Sequence, residues 1–206
     1  MHNWISRLEH AFNAPLPGEA AQLKMAPSLR HQPVGSHPLR EGSVMVLVYP
    51  AGPMLYTVFM KRPAYHGVHG DQVSFPGGVF EKNDPSLIAT AIRETEEETG
   101  ISGSLIRVIG TLTPIHIPVS NIHVLPVVGI LENRPVFRPN PDEVSYLIEV
   151  SLNELLNPVN QHIKNLLIAN NEVIVPYYQL EGHHIWGATA MILSEFLEII
   201  RKADLY

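Results

Sequence analysis

Ser74 to Ile101 reads SFPGGVFEKNDPSLIATAIRETEEETGI, joining a Gly-Gly turn to a helix that carries one arginine and a cluster of glutamates. Asp84, Pro85 and Ser86 predict the helix start, with an acidic or hydroxyl cap and a proline near the first turn, and Gly100 predicts its stop. Ile88, Ala91, Ile92, Thr95 and Thr99 recur at steps of three and four, a stripe expected to face a core. At roughly 100° per residue, Glu94, Glu97 and Glu98 fall together beside that stripe, and Arg93 stands one turn before Glu97. Three carboxylates are thus expected to converge.

Convergence is costly: two carboxylates ~5.5 Å apart repel by about 0.8 kcal/mol in bulk water and by about 3 kcal/mol at an effective dielectric of 20. A partly buried cluster therefore wants cations. Hard carboxylate oxygens suit Mg2+, or Mn2+, and Mg2+ keeps waters and substrate phosphates in its shell. Taken alone, a glutamate-rich helix is more often a solvated acidic face, where each repulsion costs little. The flanking Phe75-Pro76-Gly77-Gly78 tips the balance, because glycine lets a backbone approach a ligand or offer a carbonyl to a metal.

The order of Gly78, Arg93-Glu94, Glu97-Glu98 and Gly100-Ile101 resembles the Nudix hydrolase family, whose signature reads Gly-x5-Glu-x7-Arg-Glu-U-x-Glu-Glu-x-Gly-U, with U aliphatic. Thr95 stands at the aliphatic position, with a methyl that can still pack on a core. Fourteen residues separate Gly78 from Arg93 where the general pattern has thirteen, so Glu81 and Asp84 are both candidates for its first glutamate. That expansion, with Ala91-Ile92-Arg93-Glu94, is similar to the coenzyme A diphosphatase branch, whose pattern is Phe-Pro-Gly-Gly-x-x-Asp-x-x-Asp followed by Ala-Leu-Arg-Glu. Upstream, Lys61-Arg62 and the run His69 to Gly78 resemble the marker of that branch, with Asp71 inserted and no second arginine in Tyr65-His66-Gly67-Val68. Downstream, Asn140-Pro141-Asp142-Glu143-Val144 is similar to its Asn-Pro-x-Glu-Val element.

The resemblance implies a Nudix α/β/α sandwich, a mixed β-sheet between helices, and metal-dependent hydrolysis of a diphosphate linkage. Glu94, Glu97, Glu98 and the Gly77 carbonyl would hold Mg2+ or Mn2+, Arg93 would orient the carboxylates, and Glu94 or Glu143 would take a proton from water. Coenzyme A or an acyl derivative is the substrate it favours, cleaved to 3',5'-ADP and 4'-phosphopantetheine. Another nucleoside diphosphate derivative, such as ADP-ribose or a dinucleotide, is the alternative, and a silent Nudix-fold binding protein is the second. An anionic ligand needs local positive charge, and Arg62, His66 and His69 flank Gly77 and Gly78 as its expected binding residues.

Composition sets outer limits. The chain has 206 residues and 45% hydrophobic content, enough for one well-buried domain. Its net charge of -6 with dispersed Lys and Arg argues against nucleic-acid binding. With no apolar run of spanning length and no signal-like start, neither a membrane partner nor export is expected, and the cytoplasm is the expected location. The absence of cysteine excludes disulfides and thiolate chemistry. A homodimer is left open.

The coarse order is α/β. Trp4, Ile5, Leu8 and Phe12 predict a short amphipathic helix, followed by a proline-rich connection, so residues 1–40 read as an N-terminal extension packed on a Nudix domain of residues 41–206. Val44–Tyr49 and Leu55–Lys61 predict a hairpin around Pro50-Ala51-Gly52-Pro53. Ile106–Ile115, Val124–Leu131, Val144–Val150 and Val173–Tyr178 predict further strands, and Trp186–Arg201 a closing helix. Trp186 is read as core packing rather than a stacking surface.

Overall fold

Met45 to Tyr49 are buried without interruption, so this stretch must be covered on both faces. Met45, Leu47 and Tyr49 pack with Val58, Ala91 and Val127, whereas Val46 and Val48 belong to a larger core with Phe59, Leu193 and Phe196. The alternation of a strand thus divides the molecule into two apolar layers with a sheet between them.

The computed structural model describes residues 3–29, 38–63, 72–168 and 171–205. Helices α1 (Asn3–Phe12) and α2 (Gly18–Gln22) precede the hairpin β1 (Arg40–Ala51) and β2 (Met54–Lys61). The short strands β3 (Val73–Ser74) and β4 (Gly77–Val79) lead into helix α3 (Leu87–Thr99). Strands β5 (Arg107–Thr111), β6 (Ile115–Ile117), β7 (Ile122–Ile130) and β8 (Tyr146–Ser151) follow, then helix α4 (Leu152–Leu156). Strands β9 (Gln161–Ile168), β10 (Asn171–Leu180) and β11 (His183–Trp186) and helix α5 (Gly187–Ala203) close the chain.

The main sheet runs β3-β2-β1-β7-β5, with β4 added to β1, β6 to β7 and β8 to β2. It is mixed because β1 and β7 are parallel, from Arg40 opposite Ile122 to Val48 opposite Ile130, while the other pairs are antiparallel. Helix α3 packs on the layer of Ala91, and α1 and α5 on the other, which gives the mixed sheet between helices that the sequence predicts. The hairpin turn is shorter than the proline-glycine run suggests: Ala51 opposes Met54, and Gly52 supplies the positive φ of a two-residue loop.

Three details depart from the sequence reading. The run Ile106–Ile115 is broken, with Leu112–Pro114 between β5 and β6. Ile88 shares the apolar angle of α3 but, in its first turn, is exposed, and the buried face runs through Ala91, Thr95 and Thr99 with Thr90 and Glu98. A second, three-stranded sheet, β11-β10-β9, stands where only Val173–Tyr178 was expected to be extended.

Helix α2 is tied to the far end of the chain by a buried carboxylate. Glu195 of α5 has no exposed surface and accepts hydrogen bonds from Gln22 Nε2 at 2.8 Å, Gly18 N at 3.1 Å and Thr113 Oγ1 at 2.7 Å. Ile5 and Leu8 of α1 enter the same core as Phe196 and Leu197. Replacing Glu195 with Ala would take the acceptor from the part-buried Gly18 N and Thr113 Oγ1 and from one N–H of the buried Gln22, each at a cost of about 1–3 kcal/mol where water does not replace it. Urea unfolding of Glu195→Ala is expected to show a loss of about 3 kcal/mol at unchanged slope; a loss within 0.5 kcal/mol, the usual range of a surface change, would show that this anchor does not hold the extension.

Candidate active site

Helix α3 starts where Ser86 accepts a hydrogen bond from Ala89 N at 3.2 Å, and ends at Gly100 in the left-handed region. Asp84 therefore does not cap it. Its carboxylate instead takes a bidentate grip from Arg93, Nε to Oδ1 at 2.9 Å and Nη2 to Oδ2 at 3.0 Å, and is further held by Glu81 N and Thr90 Oγ1. The arginine hydrogen bonds hold the Asp84 carboxyl well below the usual carboxylate range.

Arg93 also reaches forward along the helix. Its Nη1 donates to Glu94 Oε1 at 2.9 Å and to Glu97 Oε2 at 3.0 Å. Glu98 points elsewhere. Its Oε2 accepts the backbone N–H of Gly77 at 2.7 Å, and its Oε1 lies 3.8 Å from Arg62 Nη2. Arg62 Nη2 in turn donates to the Gly77 carbonyl at 3.0 Å. The glutamates thus differ sharply in setting: the Glu97 side chain is 49% exposed, that of Glu94 14% and that of Glu98 3%.

The glycines permit this approach. A side chain on Gly78 would place its Cβ 2.4 Å from the Glu94 carboxylate, and one on Gly77, at φ 150°, would meet Ser43 O at 2.3 Å. Pairing of Val44 with Gly77 and Ser43 with Gly78 sets the turn against β1, under the helix. At the other end of α3 the carbonyls of Glu98 and Thr99 accept from Asn140 N at 3.2 Å and Arg138 N at 2.8 Å. This close approach, where a Cβ on Gly100 would lie 2.6 Å from Arg138 O, fastens the loop carrying Glu143 to the glutamate helix.

Glu143 joins the cluster electrostatically, since its charge adds to the repulsion felt by both Glu94 and Glu98. Burial is the larger cause in each case. It raises the Glu94 carboxyl above its ordinary value and pushes Glu98 up to about 8, against the opposing effects of Arg62 and the Gly77 N–H. A cavity of about 1120 Å³ opens over these groups, lined by Arg62, Gly77, Gly78, Glu94, Glu97, Glu98 and Glu143 and extending to Leu29, Val175 and Trp186.

Of the residues predicted for the site, Arg93, Glu94, Glu97, Glu98, Glu143, Arg62, Gly77 and Gly78 share this cavity. His66 and His69 lie outside the described residues. The expected convergence of Glu94, Glu97 and Glu98 takes a different form: Arg93 draws the first two together and Gly77 N the third, and among the described residues no three Asp, Glu or His side chains are grouped tightly enough to clasp a metal. Arg62 is turned to Gly77 O and Glu98, so the carbonyl expected to bind metal is held by a guanidinium. Sequence reasoning missed the Asp84–Arg93 clamp, whose signal was the nine-residue spacing of opposite charges across a helix start. It also placed Trp186 in the core, whereas Trp186 is half-buried and lines the cavity.

The NUDIX domain family model matches residues 39–170, a span that includes the glycine turn, the glutamate helix and the loop of Glu143. This chain belongs to the Nudix hydrolase family. It is 36% identical over 181 residues to an uncharacterised Nudix hydrolase, NudL, of Pectobacterium atrosepticum, covering 84% of this chain and 88% of that protein. A NudL of Yersinia pestis (strain Pestoides F) is 39% identical over 145 residues, covering 69% of this chain and 71% of that one. Among solved structures, a MutT protein of Methanosarcina mazei superposes with a TM-score of 0.54 at 15% identity, over 82% of this chain and 99% of that one. A MutT Nudix hydrolase of Burkholderia pseudomallei does so with a TM-score of 0.50 at 20% identity, over 77% and 98%. These two share the Nudix fold with it. No helix among the described residues is long and apolar enough to cross a membrane.

The high Glu98 value gives a signed expectation for the metal-free protein. With the folded group near 8 and the unfolded one near 4.5, the folded state holds a proton that the unfolded state has lost between those values. Stability from this group is complete below about 4.5 and declines as pH rises through 8. In a chelator, the wild-type Tm should therefore fall from pH 5 to pH 8, and Glu98→Gln should flatten that slope and melt higher at pH 8; parallel Tm profiles would show that Glu98 is not held protonated by burial.

Proposed function

We propose that this chain is a divalent-metal-dependent Nudix hydrolase that cleaves the diphosphate linkage of coenzyme A or an acyl derivative, releasing 3',5'-ADP and 4'-phosphopantetheine. The observation that supports it most is Glu98, buried beside Gly77 in a cavity shared with Glu94, Glu97 and Glu143. Four carboxylates around one cavity in an already acidic protein would repel each other and any phosphate, so a productive complex needs added positive charge.

The donor set fits Mg2+ or Mn2+: it is all oxygen, and it is undercompensated, since Glu98 is held by one backbone N–H and an arginine at 3.8 Å. Glu94, Glu97 and Glu98 would hold the ion, with the Gly77 carbonyl as a further donor. When bound, the ion would polarise phosphoryl oxygens and lower the pKa of water. Arg93, anchored on Asp84, keeps Glu94 and Glu97 in place. Glu143, held on a loop tied to the end of α3, would accept the proton of the attacking water, with Glu94 as the other base within the cluster. Arg62 would offer its guanidinium to substrate phosphate once a metal compensates Glu98.

The substrate assignment rests on Lys61-Arg62, the run His69 to Gly78 and Asn140 to Val144, which resemble the coenzyme A diphosphatase branch. Purified protein with Mg2+ is expected to hydrolyse coenzyme A or an acyl derivative faster than ADP-ribose or diadenosine compounds. Preference for ADP-ribose with no attack on coenzyme A would reassign the substrate while leaving the hydrolase chemistry in place.

Two substitutions separate the roles. Glu97→Gln and Glu98→Gln should each lower metal-dependent turnover by at least about a hundredfold, roughly 2.7 kcal/mol of barrier, with folding retained by circular dichroism; turnover within a few-fold of wild type in both would remove the metal-holding role. Glu143→Gln should lower kcat more than it raises KM and should alter the acid limb of the pH–rate profile. An unchanged profile would leave Glu94 as the base.

A further inference from the structure

The second sheet forms a wall of the cavity that the chemistry at the glutamates does not use. Its register sets Lys164 opposite Val175, Tyr177 opposite both His162 and Trp186, and His184 opposite Gln179. Opposed residues share a face of a sheet, so His162, Lys164, Val175, Tyr177, His184 and Trp186 lie on one side. Tyr178, Leu180 and Ile185 occupy the other side, buried in the core beneath. Val175 and Trp186 line the same cavity as Glu94 and Glu98.

On that side the rings and the cation are gathered. Lys164 Nζ lies 5.0 Å from the centre of the Tyr177 ring, 5.6 Å from that of Trp186 and 3.4 Å from His184 Nδ1. The Tyr177 ring is 4.5 Å from His184 and 5.5 Å from His162. Val175 is buried, Lys164, Tyr177 and Trp186 are half-buried, and His162 and His184 are exposed, so this face opens from the core at Val175 to solvent at the histidines. Ring contacts orient the ammonium without using its three N–H donors, of which His184 can accept one. Among the described residues no carboxylate pairs with Lys164. The cavity is thus acidic at the glutamates and bounded on this side by Trp186, with Lys164 just behind that ring at 5.6 Å.

We infer that this wall is a second recognition subsite, where Trp186 stacks on the base of the substrate and Lys164 pairs with an anionic group that the nucleoside carries away from the scissile diphosphate. The inference rests on reading the substrate as a nucleoside diphosphate derivative. A π-face accepts any base, so stacking supplies affinity, while the ammonium distinguishes nucleosides bearing an extra phosphate from those without one.

The test exploits the two tryptophans of the chain, Trp4 and Trp186. In a Trp4→Phe background, fluorescence reports Trp186 alone. Without added metal, adenosine 3',5'-bisphosphate and adenosine 5'-monophosphate should both quench it, ribose 5-phosphate should not, and the bisphosphate should bind more tightly. Lys164→Met should weaken the bisphosphate about tenfold and the monophosphate by much less, and Trp186→Leu should raise KM of the metal-loaded enzyme for its full substrate by about tenfold. No quenching by either nucleotide, equal quenching by ribose 5-phosphate, or equal effects of Lys164→Met on both nucleotides would overturn the subsite. Hydrolysis without nucleotide quenching would reject the wall and keep the hydrolase; nucleotide quenching without hydrolysis of any diphosphate would do the reverse.

Discussion

The hydrogen bond from Gly77 N to Glu98 is the constraint on which the rest of the site depends. It brings a carboxylate that is 3% exposed into contact with a backbone that must have no side chains in its way, because Cβ atoms on Gly77 and Gly78 would enter β1 and the Glu94 carboxylate. Burying that carboxylate is unfavourable, as its upward shift to about 8 shows, and one N–H with Arg62 at 3.8 Å offsets only part of the cost. A helix face that stores this imbalance is what the proposed cation would relieve. Structural stability alone would favour an apolar residue at the same position.

Arg93 does the complementary sorting. Anchored by Asp84, it neutralises Glu94 and Glu97 together, which keeps two like charges on one helix face from splaying apart. Its own position is over-determined, with contacts to Asp84, Val79 O and both glutamates, so a lysine could not replace its planar fork. The C-terminus of the same helix then fixes the Glu143 loop through backbone hydrogen bonds, so both sources of carboxylate are held on one rigid element.

Chemistry and enclosure come from different parts of the chain. The glycine turn, the glutamates and Glu143 all fall within residues 39–170, the part matched by the family model. Pro27, Leu29, Val175, Trp186, Thr189 and Met191 fall outside it, yet they line the same cavity. The Glu195 anchor explains how: it binds α2 to α5 and so closes the N-terminal segment onto the C-terminal one. Segments beyond the matched region thereby shape the space that a substrate would occupy.

The sequence by itself determined the helix from Leu87 to Thr99, its glycine stop and the neighbourhood of Arg93 with Glu97, because these are local matters of period, cap and one-turn spacing. It also made the central hairpin and the layered α/β order legible, since uninterrupted burial in β1 leaves a pattern along the chain. Which glutamate is buried was not legible: Glu97 and Glu98 are neighbours in sequence, and only the packing of α3 against β4 exposes one and hides the other. The same holds for Arg62, whose acceptor Gly77 lies 15 residues away, and for Trp186, which strand register sets opposite Tyr177 and beside Lys164 of a third strand. Periodicity reports which side of an element faces inward, whereas the distance between two charges on separate elements exists only after the sheet has brought them together.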